Sequence, residues 1–136
     1  MIKRKGFETF NGCVGKNINK IYLDDNDRLI FEFADGVWMA LIDDGQSCCE
    51  SRYMSTDDNF VEFEGAKLLD IELKDWDDVS ENDYIVHEIQ FLDIKTDKGI
   101  FTIANHNEHN GYYSGFVIDC MIVTREFVPF AQKANS

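Results

Sequence analysis

Apolar and polar residues alternate with a period of two through most of the chain. Leu69, Ile71 and Leu73 alternate with Asp70, Glu72 and Lys74, the pattern of a strand with one face buried and the other wet. Leu29, Phe31 and Phe33 form a second set, and Asp35-Gly36 then predicts a two-residue hairpin turn into Val37, Met39 and Leu41. A further hairpin is predicted around Asp97-Lys98-Gly99, joining residues 85–94 to residues 100–104. Phe116, Ile118, Cys120 and Ile122 form the last strand. After it, Phe127-Val128-Pro129-Phe130 is expected to fold back over the core, with a fraying polar end at 131–136. One segment breaks phase: Ile85, His87, Ile89 and Phe91 run on one face, but Leu92 and Ile94 continue on the other. Either a bulge lies near Phe91 or both faces are covered there.

Long helices are scarce. Ser47 with Glu50 three residues later forms a capping box, which predicts a helical turn continuing through residues 51–54. Residues 77–83 read as an exposed acidic loop. Gly15, Ile18, Ile21 and Leu23 recur at a constant offset as Gly65, Leu68, Ile71 and Leu73, so two β-repeats or chance resemblance both account for the pattern. The expectation is an all-β or β-dominated α+β fold. It is a single small sandwich or barrel of antiparallel strands, with roughly six to eight strands and at most two short helices. Residues 1–136 make a single domain, with 1–11 as an N-terminal extension and 126–136 as a C-terminal tail. The expected core comprises Ile21, Leu23, Phe31, Phe33, Met39, Leu41, Ile71, Leu73, Ile89, Phe91, Ile103, Phe116 and Ile118.

Composition supports a folded chain: 44% of its residues are apolar and eleven are Phe, enough to offset the entropy of ordering one core. A net charge of −13 repels phosphate backbones and favours basic protein surfaces, so direct nucleic-acid binding is not expected. Nor is a membrane span, because no window approaches the ~20 apolar residues required. The start of the sequence carries no apolar signal core, which predicts a cytoplasmic location, the cytosol of whatever cell makes the protein. Cys13, Cys48, Cys49 and Cys120 are then expected as thiols, since that compartment does not sustain disulfides.

Two segments concentrate chemistry. His106-Asn107-Glu108-His109-Asn110 places two imidazoles, a carboxylate and two amides in five residues. The His pair could chelate a divalent ion with Glu108 or a cysteine thiolate, although the spacing fits no standard zinc pattern and residues three apart on a strand face opposite ways. A polar turn that satisfies its own backbone, or a hydrogen-bonding recognition site, are the other readings. Tyr112 and Tyr113 follow the Asn110-Gly111 turn pair and suit either an interface or a core-and-edge role. The other segment is Cys48-Cys49-Glu50-Ser51-Arg52-Tyr53. Here the cap would lower the Cys48 thiol pKa, and Arg52 could pair with Glu50 or receive an anionic group. A Cys/His/Glu catalytic set can be assembled from Cys48 or Cys49, His106 or His109, and Glu50, yet each residue also has a structural explanation. No nucleotide-cradle or nucleophile-elbow signature occurs. No catalytic residues, metal site or cofactor are therefore assigned.

Together, Cys48-Cys49-Glu50, Thr96-Asp97-Lys98-Gly99 and the run from Asn107 through Tyr113 resemble an uncharacterised domain family of bacteriophages and bacteria, a domain of unknown function. The resemblance extends from about residue 12 to about residue 119 and carries no known activity. It implies a phage-type accessory protein. With the acidic charge, that leads to the expectation of non-catalytic binding to a host protein with a basic surface, as an inhibitor of a host defence system. A small-ligand or metal-binding protein or enzyme, or a structural, virion-associated protein, are the alternatives. Exposed strand edges would also allow a homodimer. The expected binding residues are Cys49, Glu50, Arg52, Tyr53, His106, Asn107, Glu108, His109, Asn110, Tyr112 and Tyr113. The two segments are expected to meet at one end of the domain, where removing Arg52, Glu108 or Tyr112 should abolish binding and leave the melting temperature nearly unchanged.

Overall fold

The computed structural model describes residues 2–24, 28–44, 50–81, 84–111 and 114–124. Ten strands, one α-helix and a 3-10 helix follow in the order β1 Ile2–Lys5, α1 Phe7–Cys13, β2 Ile18–Asp24, β3 Arg28–Phe33, β4 Trp38–Asp43, β5 Glu50–Ser55, the 3-10 helix Phe60–Phe63, β6 Leu68–Leu73, β7 Asp77–Asp78, β8 Val86–Thr96, β9 Gly99–His109 and β10 Phe116–Val123. They form a β-sandwich rather than a closed barrel. One sheet has the order β1-β10-β4-β3-β2, the other β5-β9-β8-β6 with β7 also paired to β8. β1 runs parallel to β10, and every other strand pairing is antiparallel. Ten strands exceed the six to eight expected, and β1, β5 and β7 are the ones that no sequence pattern pointed to. Among the described residues no helix is long and apolar enough to cross a membrane.

The core forms between the sheets because both present alternating apolar residues inward. Leu29, Phe31, Phe33, Met39, Leu41, Phe116 and Ile118 from the first sheet meet Leu68, Leu92, Ile94, Phe101 and Ile103 from the second. Phe101 is central, with ring centroids 5.4 Å from Phe60, 5.0 Å from Phe63 and 6.3 Å from Phe31. Cys13 and Cys120 are buried free thiols, and burial pushes the Cys120 thiol up to about 12.

Three local expectations are corrected. The first hairpin closes with Phe33 N–H donating to the Val37 carbonyl at 2.9 Å. This encloses Ala34, Asp35 and Gly36, a three-residue connection whose Gly36 takes φ +90°, as such loops require. The segment expected as a capped helical turn is β5, because pairing along β9 and an inward Arg52 override the local cap pattern; Ser47 lies outside the described residues. The first eleven residues, expected as an extension, supply β1 and the start of α1. There Gly6, at φ +66°, sits so close to the Cys120 carbonyl oxygen that a Cβ would collide with it.

The internal repeat is structural. Gly15 N–H donates to the Leu68 carbonyl and Gly65 N–H to the Ile18 carbonyl, both at 2.7 Å. Ile18 N–H donates to the Ala66 carbonyl at 2.7 Å, and Leu68 N–H to that of Lys16 at 3.1 Å. β2 and β6 are both edge strands, and each shifts register one step after its first residue. The last strand of each copy crosses over: β5 follows β4 but pairs with β9, and β10 follows β9 but pairs with β4.

The phase slip in β8 has a third explanation. β8 and β9 pair without a register shift along their whole length, so there is no bulge. Leu92 and Ile94 point inward, and the same face continues backwards as Gln90 and Glu88, both buried. Ile89 and Phe91 therefore lie on the outer face, Phe91 being 42% exposed, and do not belong to the core; Leu73 is only partly buried against it. Replacing Phe101 with Ala should cost about 3–5 kcal/mol, whereas Phe91→Ala should change stability by no more than ~0.5 kcal/mol. Urea denaturation of the two variants tests this inside-outside assignment.

Candidate functional site

The two segments that concentrate chemistry are neighbouring strands. Glu50 lies opposite His109, Ser51 opposite Glu108, Arg52 opposite Asn107 and Tyr53 opposite His106. Because side chains alternate, the pairing sorts the candidates into two sets. Glu50, Arg52, Asn107 and His109 face the core, whereas Tyr53, His106 and Glu108 face outward. Residues 106–109 are thus strand rather than turn, and Asn110 begins the turn. Cys49, Tyr112 and Tyr113, with Cys48, lie outside the described residues.

The inward set forms a buried ionic cluster. The Arg52 guanidinium, its side chain 7% exposed, donates from Nη1 to Asp43 Oδ2 and from Nη2 to Glu50 Oε2, both at 2.8 Å. It also donates to the Gly115 carbonyl at 2.9 Å and stands 6.0 Å from the centre of the Phe116 ring. Asp43 accepts in addition from Asn105 Nδ2 at 3.2 Å and from Val117 N–H at 3.2 Å.

Beside it, Glu88 accepts from Ser114 Oγ at 2.6 Å, Trp76 Nε1 at 2.9 Å, Gly115 N–H at 3.1 Å and His109 Nε2 at 3.1 Å. Gly111 N–H donates to His109 Nδ1 at 2.9 Å, so the ring carries its proton on Nε2 and gives it to Glu88. Burial by itself would raise the Glu88 carboxyl pKa, but the hydrogen bonds from Ser114, Gly115 and His109 outweigh it and hold the group below its ordinary value.

The outward set is a row of rings across the second sheet. Tyr53 and His106 stack with centroids 4.4 Å apart and planes 8° from parallel. His106 Nδ1 is 3.0 Å from His87 Nε2, and its Nε2 is 2.9 Å from Ser55 Oγ. The Tyr53 hydroxyl donates to Glu108; burial and that carboxylate push the phenol up to about 12. Burial, with the neighbouring His87, lowers the His106 pKa against the opposing pull of Glu108.

His106 and His109 thus lie on opposite faces of β9 and cannot share an ion. Among the described residues no group of three His, Cys, Asp or Glu side chains is placed to hold a metal. Of the Cys/His/Glu set, Glu50 is bound to Arg52, and Cys48 and Cys49 lie outside the described residues. Glu50, Ser51, Glu108, His109 and Asn110 do line one cavity of about 350 Å³, together with Tyr84 and Ile85. The two segments therefore meet, but through their shared strand pairing. Asp43, Glu88, Gln90, Asn105, His87 and Ser55 escaped the sequence reading. The signal for Glu88 and Gln90 was the phase slip itself, since polar residues occupy the inward positions there.

These features define a two-sheet β-sandwich with a repeated β-unit and a polar cluster buried at one end. The chain belongs to the family described as Domain of unknown function (DUF7448), whose model matches residues 11–118, from within α1 to within β10. Nothing matches among curated proteins or among solved structures.

Arg52→Ala should destabilise the protein by about 3–5 kcal/mol, because it leaves the Asp43 and Glu50 carboxylates buried without their cation. This replaces the expectation that Arg52 could be removed without effect on melting. Stability should also fall with acidification in two stages. Folding disfavours protonated His106, so the unfolded chain takes up that proton first and stability declines as pH drops below the ordinary value of 6.5. Glu88 contributes stability that is complete above its ordinary value of 4.5 and lost as pH falls through its lower folded value. Denaturation across this range should show both stages in the native sequence, and His106→Gln should remove only the upper one.

Proposed function

We propose that this protein is a phage-type accessory protein that acts without catalysis, by binding a host protein through that protein's basic surface, as an inhibitor of a host defence component. The observation that carries the reading is the cavity lined by both motif segments, where an acidic strand end meets Tyr84, a side chain 87% exposed. Exposed tyrosines are frequent interface anchors because they offer large apolar area and a polar tip at low entropic cost. Net charge of −13 would draw a basic partner by long-range attraction. The inward charges of the same strands are committed to one another and to structure. The phage origin and the defence role rest on the family resemblance and the charge.

The test is to identify what co-purifies with the tagged protein from infected cells, and then to measure binding of that partner directly. Affinity should fall by at least about tenfold between ~0.05 and ~0.2 M salt. Tyr84→Ala should weaken it by about thirtyfold, the effect of losing an anchor worth ~2 kcal/mol, with little change in melting temperature. Salt-independent binding, or a Tyr84→Ala variant of full affinity, would remove the proposal. Recovery of the protein in purified particles would support the virion-associated alternative, and a retained metabolite the small-ligand one.

A further inference from the structure

The outward face of the second sheet carries a constellation separate from the buried cluster and from the cavity at Tyr84. Ser55 on β5, His106 on β9 and His87 on β8 stand on three adjacent strands. The Ser55 hydroxyl is 2.9 Å from His106 Nε2, and His106 Nδ1 is 3.0 Å from His87 Nε2. The Tyr53 ring, stacked 4.4 Å from that of His106, holds the imidazole plane in position.

Ser55 is exposed and lines a cavity of about 300 Å³ together with Asp57, Asp58, Phe91 and Thr102. The loop forming its wall is pinned to the sheet. Thr56 Oγ1 donates to the Thr102 carbonyl at 2.8 Å, and Thr102 N–H donates to Asp58 Oδ2 at 2.7 Å. A hydroxyl hydrogen-bonded to an imidazole, which a second polar group orients in turn, is the arrangement that activates serine as a nucleophile. Burial also favours the neutral, proton-accepting form of His106.

We propose that Ser55, His106 and His87 form an acyl-transfer site that cleaves small neutral or cationic esters seated in the cavity beside Ser55. Asp57 and Asp58 in the wall repel anionic acyl groups, and Phe91 offers an apolar surface. Ser55 Oγ attacks the ester carbonyl carbon while its proton passes to His106 Nε2. The bond from carbon to the leaving alcohol oxygen breaks, and His106 returns the proton to that oxygen. Water then attacks the acyl-Ser55 carbon, giving its proton to His106 and through it to Ser55 Oγ, and the carboxylic acid leaves. His87 is a positioning residue: by accepting the Nδ1 proton it selects the tautomer whose Nε2 is free to act as base. This activity is additional to the binding role, which itself involves no catalysis, and does not depend on it.

The experiment is labelling of the whole protein with an alkyl fluorophosphonate, read by peptide mass spectrometry, alongside hydrolysis of p-nitrophenyl acetate. Ser55 should carry the adduct. Ser55→Ala should abolish both signals. His106→Gln should slow labelling by about a hundredfold or more, the scale of a lost general base. His87→Gln should slow it less and shift the midpoint of its pH profile, which a purely structural role would not do. Circular dichroism keeps the comparison to folded variants, and His106→Asn serves if His106→Gln does not fold. No adduct on Ser55 in the folded native protein, or labelling at an unchanged rate in the folded His106 variant, would overturn the proposal.

Discussion

One guanidinium ties the two sheets together at their polar end. Arg52 projects from β5 in the second sheet and reaches Asp43 on β4 and the carbonyl of Gly115, just before β10, in the first. An ion pair at the surface would contribute little, but here all three charged partners are buried, so the arrangement stands or falls as a unit. The carboxylates need the cation, and the cation needs β5 held against β9. That dependence explains why residues 50–55 are a strand. A helical turn there would withdraw Arg52 from Asp43 and leave charge in the core.

The two ends together show how a repeated unit can differ between its copies without losing its frame. The reciprocal hydrogen bonds around Gly15 and Gly65 keep β2 and β6 equivalent, and the crossing of β5 and β10 makes each sheet contain a strand from the other copy. In the first sheet the inner faces of β3 and β4 are Leu29, Phe31, Phe33, Met39 and Leu41. In the second, the inner faces of β8 and β9 become polar beyond Leu92 and Ile103, with Glu88, Gln90, Asn105, Asn107 and His109 all buried. A polar inner face is tolerable where partners come from the opposite sheet, and Asp43, Gly115 and Ser114 provide them.

Much of this was legible in the chain. Alternation located β3, β4, β6, β8, β9 and β10, and the recurring set Ile18, Ile21 and Leu23 falls in β2, opposite its counterpart in β6. Two kinds of information were not. β1 and β5 owe their state to partners distant in sequence, Phe116 to Asp119 for one and Ala104 to His109 for the other, and no local pattern encodes those pairings. The buried polar cluster was hidden for a different reason. A period-two reading assumes that the apolar residues mark the inner face, and in residues 85–91 that assumption assigns Ile89 and Phe91 inward while Glu88 and Gln90 take their place. The density of His, Asn and Glu at 106–110 stands out in the sequence, but it straddles both faces of a strand, with Asn107 and His109 inward and His106 and Glu108 outward.

That straddling separates structure from availability for function. Along β5 and β9, each residue that stabilises the sandwich sits beside one free to meet solvent: Arg52 beside Tyr53, Asn107 beside His106 and Glu108. The inward members fix strand position through buried, geometrically demanding bonds, so the outward rings are carried on backbone that has little freedom to shift. A stacked Tyr53 and His106 on an isolated hairpin would sample many arrangements. On strands locked from beneath by Arg52 and Glu88, the contacts from Ser55 through His106 to His87 are held to hydrogen-bonding distance, which is the precondition for any chemistry on this face.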